Sequence, residues 1–126
     1  MSRLLVVDDE ANIRLLCAEE LKDEGYEVVT AGSSAEAAEK LQHGVFDLAV
    51  LDIKLKNESG IELLQKLVKE RHDMPVILCS AFSCYKDDFS AWLADGYVVK
   101  SSDLRELKQE IARVLAKKAL KVKAGT

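Results

Sequence analysis

The chain has 126 residues, 48% of them hydrophobic and 32% charged, with a net charge of -4. That length suits one domain with a single core, and the charge lacks the basic excess of a nucleic-acid binder. No apolar run is long enough to span a bilayer, and the first residues lead straight into a strand, which leaves no room for a signal peptide.

In chain order, the first apolar run is Leu4–Val7, ending in Asp8, Asp9 and Glu10. Ile13, Leu16, Cys17 and Leu21 then recur at helical spacing. Glu27–Thr30 reads as a weaker strand, and Ser33-x-x-Glu36 as a capping box that opens the next helix. Leu48–Leu51 is a second strong apolar run, ending in Asp52. Ile61, Leu64 and Val68 line a helix after it. Val76–Cys79 is the third strong run, followed by Ser80. The stretch Phe82–Asp95 fits the pattern least: it holds four of the aromatics and room for only a short helix. Tyr97–Val99 is the last strand, followed by Lys100. Leu104, Leu107, Ile111 and Val114 line the final helix, with Asp103 and Glu106 in its first turn, where the dipole favours anions. Lys117–Thr126 reads as a fraying helix end.

Short, branched, non-alternating runs suit strands buried on both faces of a parallel sheet. Five of them alternating with helices imply an α/β, doubly wound (βα)5 sandwich. Cys17, Cys79 and Cys84 are odd in number and lack CxxC spacing; Cys17 and Cys79 fall in apolar patterns and read as buried small hydrophobes. His43 and His72 lack metal-ligand spacing and read as solvated helix ends. The cytoplasm is the default compartment for such a chain.

In an open parallel sheet, ligands bind at the carboxyl ends of the strands, where strand order reverses. Here those ends carry Asp8 and Asp9, Asp52, Ser80 and Lys100. Clustered carboxylates need a cation, and an all-oxygen donor set suits Mg²⁺. One carboxylate can also act as a nucleophile and become an aspartyl phosphate, with a metal, a lysine and a hydroxyl around the phosphoryl oxygens. Two other classes compete with a phosphoryl-accepting signalling domain. One is a Mg²⁺-dependent phosphatase with an aspartyl nucleophile, whose usual sign is two Asp separated by one residue at a single strand end; here Ile53 and Lys54 follow Asp52, and the other acids are on a different strand. The other is a non-phosphorylated, flavodoxin-like binding module, which would not need all five polar residues and would carry a phosphate loop after the first strand.

With these residues in place, the chain resembles a receiver domain of two-component response regulators. "VVDDE" resembles the acidic pair, "LDIKLKNESGIELL" the phosphoacceptor loop and the helix after it, "VILCSA" the hydroxyl site, and "DGYVVKS" the switch aromatic and the lysine. The resemblance covers about residues 3–118, which sets a receiver domain at 1–118 and a tail at 119–126. It implies a flavodoxin-like five-stranded parallel sheet. It implies that Asp52 takes a phosphoryl group from a sensor histidine kinase or histidine phosphotransfer protein. Asp9 and Asp52 would ligate Mg²⁺ with the Lys54 backbone carbonyl, and Asp8 would act mainly through water. Lys100 would pair with a phosphoryl oxygen. Ser80 would hydrogen-bond the phosphoryl group, and Tyr97 would swing inward as Ser80 moves. Lys54 and Phe82 would govern water access to the acyl phosphate. The downstream protein partner is not identified, and the resemblance allows a phosphorylation-dependent dimer. It implies no direct nucleic-acid or membrane contact.

Three departures stand out. Lys56 occupies a position where the family often has proline. Lys100 is followed by Ser101 rather than by a proline after a cis bond. A cis bond here would cost roughly 2.5–4 kcal/mol, yet it is the expected form because Lys100 must still reach the site. Finally, Ser80 to Lys100 is about two residues shorter than usual, which makes the surface between them the least transferable.

Overall fold

The computed structural model describes residues 2–52, 54–55, 58–70, 74–80, 94–99 and 103–124, with only the backbone path for 54–55, 58–61, 80 and 120–124. Five strands form one parallel sheet: β1 (Arg3–Val7), β2 (Glu27–Ala31), β3 (Leu48–Asp52), β6 (Val76–Ser80) and β7 (Gly96–Val99), in the order β2-β1-β3-β6-β7. The helices are α1 (Ala11–Asp23), α2 (Ser34–Gln42), α3 (Gly60–Glu70) and α4 (Arg105–Ala124). The chain runs outward from β1 to β2, then crosses to β3 on the other side of β1. This reversal makes the carboxyl ends of β1 and β3 the switch point of the sheet.

Strand periodicity sorts the core into two layers. Leu5, Val7, Ala49, Leu51, Val76 and Leu78 face one side, where they pack with Ala37 and Leu41 of α2 and with Leu63, Leu64 and Leu67 of α3. Leu4, Val6, Leu48, Val50, Ile77 and Val98 face the other, with Cys17 and Leu21 of α1 and Leu107, Ile111 and Val114 of α4. Both faces of the sheet are covered, as the continuous apolar runs require.

Local sequence sets the element ends. Ser33 Oγ accepts from the Glu36 N–H at 3.2 Å, as the capping box predicts. The Glu36 carboxylate reaches back one residue further than expected, accepting from the Gly32 N–H at 3.1 Å. α1 stops in a Schellman turn: the Tyr26 N–H donates to the Leu21 carbonyl and the Gly25 N–H to the Lys22 carbonyl. Gly25 takes φ +96°, which a side chain would resist. Asp95 closes the entry to β7: its N–H donates to the Val76 carbonyl at 2.7 Å and its Oδ2 accepts from the Val76 N–H at 2.9 Å. Asp103 meets the start of α4 by accepting from the Arg105 N–H at 3.0 Å. Lys108 of α4 reaches across to Glu20 of α1 and to Glu24, the residue that caps its end, at 2.8 and 3.4 Å.

Two features depart from the sequence expectation. A two-residue antiparallel ladder pairs β4 (Lys54–Leu55) with β5 (Glu58–Ser59), just after Asp52. Two residues per strand are too few to show any periodicity. The last helix runs on to Ala124, so most of the stretch expected to fray from Lys117 is regular helix. Alanine, leucine and lysine are strong helix formers, and they outweigh the polarity that suggested a frayed end. The helix expected within Phe82–Asp95 falls almost wholly outside the described residues, as do Cys84, His72 and the Lys100–Ser101 bond.

Candidate functional site

The site is built from strand ends. Val7 pairs with Leu51 in register, so the next residues, Asp8 and Asp52, are neighbours at the edge of two adjacent strands. They continue the faces of Val6 and Val50 and turn toward the α1/α4 side. Both are buried, with 3% and 5% of their surface exposed. Both line one cavity of about 320 Å³, walled by Val6, Val50, Cys79, Val98 and Leu107. Two carboxylates deep in an apolar wall repel each other and resist desolvation, which is the setting that recruits a cation.

Backbone geometry holds the acidic turn. The Asp8 N–H donates to the Ala31 carbonyl at 3.0 Å and extends the β1/β2 pairing by one residue. The Glu10 N–H donates to Asp8 Oδ1 at 2.9 Å. Arg14 Nη1 donates to the Asp8 carbonyl at 2.6 Å. Glu10 is the N-cap of α1, extended at φ -91° and ψ 116°, and its carbonyl accepts from the Arg14 N–H at 3.1 Å. Carboxylate oxygens of Asp8, Asp9 and Glu10 lie within 4.8 Å of one another. Asp8 is buried, whereas Asp9 and Glu10 are progressively more open. Of these, Asp8 and Asp9 together with Asp52 make an all-oxygen donor set whose charge and hardness fit Mg²⁺, while Glu10 belongs to the start of α1.

Of the other expected site residues, Lys54, Ser80 and Tyr97 lie among the described residues. Lys54 stands in β4, two residues past Asp52 at the end of β3. Ser80 ends β6, and its register partner is Val99 of β7. Tyr97 pairs with Leu78 and packs half-buried against the α2/α3 core, on the face opposite Asp8 and Asp52. Lys100 and Phe82 lie outside the described residues. Cys17 is buried as expected, while Cys79 is only partly so because it opens onto the cavity beside Asp52. His43 ends α2 exposed, as a solvated helix end should.

Sequence reasoning overlooked Arg14. Its place four residues after Glu10 on a helix was a readable sign of a charge pair. The arginine instead reaches back to a carbonyl six residues earlier, which spacing alone does not reveal.

The model of the response regulator receiver domain family matches residues 4–112, most of the chain. The chain belongs to the response regulator receiver domains. It is 37% identical over 116 residues to the alginate biosynthesis transcriptional regulatory protein AlgB of Pseudomonas putida, covering 90% of this chain and 26% of that protein. It is 30% identical over 123 residues to the response regulator ArlR of Staphylococcus aureus, covering 96% of this chain and 56% of that one. The chain therefore spans about a quarter to about half of the curated relatives it matches. Among solved structures, the response regulator TrrA of Thermotoga maritima in complex with Mg²⁺-BeF has 46% identity and a TM-score of 0.86, covering 90% of this chain and 99% of TrrA. TrrA in complex with the histidine kinase ThkA has 47% identity and a TM-score of 0.85, covering 91% and 99%. The fold agrees with the five-stranded, doubly wound sandwich read from the sequence. Among the described residues, no helix is long and apolar enough to cross a membrane.

Proposed function

We propose that this receiver domain accepts a phosphoryl group on Asp52 from a phosphohistidine of a sensor histidine kinase or a histidine phosphotransfer protein. The observation that carries the reading is the pair of buried carboxylates, Asp8 and Asp52, side by side at the switch point of the sheet. A carboxylate oxygen of Asp52 forms the new O–P bond as the N–P bond of the phosphohistidine breaks. The imidazole leaves with the bond's electron pair, and the product on this chain is an acyl phosphate. The complexes of TrrA with Mg²⁺-BeF and with ThkA support carrying both the metal and the kinase class to this chain.

Asp9, Asp52 and the Lys54 carbonyl are the proposed direct metal ligands, with Asp8 acting mainly through water. When bound, Mg²⁺ neutralises charge on the phosphoryl oxygens. Asp8 and Asp9 hold that site at the end of β1, and Lys100 supplies a second cation to the phosphoryl group. Ser80 donates a hydrogen bond to it, and Tyr97 follows Ser80 inward, a two-state response to a new charged group. Lys54 and Phe82 set the access of water to the acyl phosphate. The same reading takes residues 1–118 as the signalling unit and 119–126 as a C-terminal tail. It places the domain in the cytoplasm, with output through a downstream protein or a phosphorylation-dependent dimer.

The test is incubation with acetyl phosphate and Mg²⁺ followed by intact mass. The wild type gains one phosphoryl group and Asp52→Ala gains none. No gain on the wild type, or equal labelling of both, overturns the proposal.

A further inference from the structure

Arg14 sits in the first turn of α1, outside the set of residues assigned above, yet it touches the acidic turn directly. Its Nη1 donates to the Asp8 carbonyl at 2.6 Å, shorter than the Glu10 N–H to Asp8 Oδ1 bond at 2.9 Å. Asp8 is thus held at both ends: its carbonyl by the guanidinium and its carboxylate by a backbone amide. The Asp8 N–H is also fixed, on the Ala31 carbonyl. Gly32 makes the guanidinium's position available. A Cβ built there would lie 3.0 Å from Arg14 Nη1, so a side chain at this position crowds the arginine. The Gly32 N–H is itself held by Glu36 at the start of α2. The arginine therefore ties the first turn of α1 to the carboxyl end of β1, at the loop that leaves β2.

We infer that Arg14 is a positioning residue for the Mg²⁺ site: by holding the Asp8 carbonyl it fixes the turn that aims the Asp8 and Asp9 carboxylates at the ion. The inference rests on the metal reading proposed above. Outer-shell groups that orient metal ligands commonly change affinity by tenfold or more. The sign of the effect separates this role from a simpler one. A cation beside a cation site opposes metal binding, so an arginine acting through charge alone weakens Mg²⁺ affinity, and its removal strengthens it. An arginine acting through geometry does the reverse.

The experiment is calorimetric titration of Mg²⁺ into the full chain, wild type against Arg14→Ala and Gly32→Val, with metal-free thermal melts to show that each variant folds. The inference expects Arg14→Ala to bind Mg²⁺ about tenfold more weakly. Gly32→Val, which keeps the charge but presses a side chain against the guanidinium where it holds Asp8, is expected to weaken binding in the same direction. It carries the test if Arg14→Ala does not fold. Wild-type affinity or tighter binding in a folded Arg14→Ala overturns the inference and leaves the metal site standing. A wild type that binds no Mg²⁺ overturns both.

Discussion

Replacing Asp8 by Asn should stabilise the metal-free protein. Asp8 and Asp52 are the two buried charged residues among the described residues, and they occupy neighbouring positions on adjacent strands. Carboxylates on adjacent strands, about 5–6 Å apart, repel by roughly 3 kcal/mol at an effective dielectric constant of about 20. The Arg14 guanidinium at the Asp8 carbonyl offsets part of that repulsion. Asn keeps an Oδ1 acceptor for the Glu10 N–H, so this hydrogen bond survives the change. The net gain is about 1–2 kcal/mol, or roughly 3–8 °C in Tm for a chain of this size. The assay is a pair of thermal melts, in EDTA and in excess Mg²⁺. In EDTA the variant should melt above the wild type. In Mg²⁺ the wild type should rise by linkage and the variant should rise less, since it keeps the direct ligands but loses the acid that acts through water. A variant that melts at or below the wild type in EDTA refutes the repulsion argument.

Two other predictions follow from the same geometry. Asp9→Ala should lose Mg²⁺ binding by at least about tenfold, while Glu10→Ala, an exposed N-cap whose contact with Asp8 runs through its backbone amide, should stay within about twofold; titration of both variants checks this. Hydrogen bonding to Glu20 and the charge of that carboxylate, with a smaller share from Glu24, hold the Lys108 ammonium above the ordinary lysine value. A raised pKa means that the α1–α4 tie stabilises the fold fully below the ordinary lysine value and fades as pH rises through the higher folded value. Urea midpoints of Lys108→Met should therefore trail the wild type by a constant gap up to about pH 10 and converge above it; a gap that widens with pH contradicts the assignment.

The sheet was legible because both faces of every central strand are buried. Runs such as Leu4–Val7 and Leu48–Leu51 admit few other readings, and the polar residue that ends each run marks the ligand edge. Asp8 and Asp52 were legible for the same reason: each ends an apolar run, and register then sets them side by side. The β4/β5 ladder was not legible, since two residues carry no period. Nor was the reach of α4 to Ala124, where helix propensity in a Lys-rich segment prevailed over its lack of an apolar stripe. Arg14 and Gly32 escaped because their relation is a side chain crossing from one element over the end of another, visible only once β1 and β2 are paired. Tyr97 is placed by alternation on the α2/α3 face, away from the carboxylates, so any coupling to Asp52 must pass through the sheet edge rather than by direct contact.

The most direct measurement is to locate the phosphoryl group. Protein labelled with acetyl phosphate and Mg²⁺ is reduced with borohydride, which converts an aspartyl phosphate to homoserine, and is then mapped by peptide mass spectrometry. The account predicts homoserine at position 52 and unchanged Asp8 and Asp9. Homoserine at either of those positions, or at none, contradicts it.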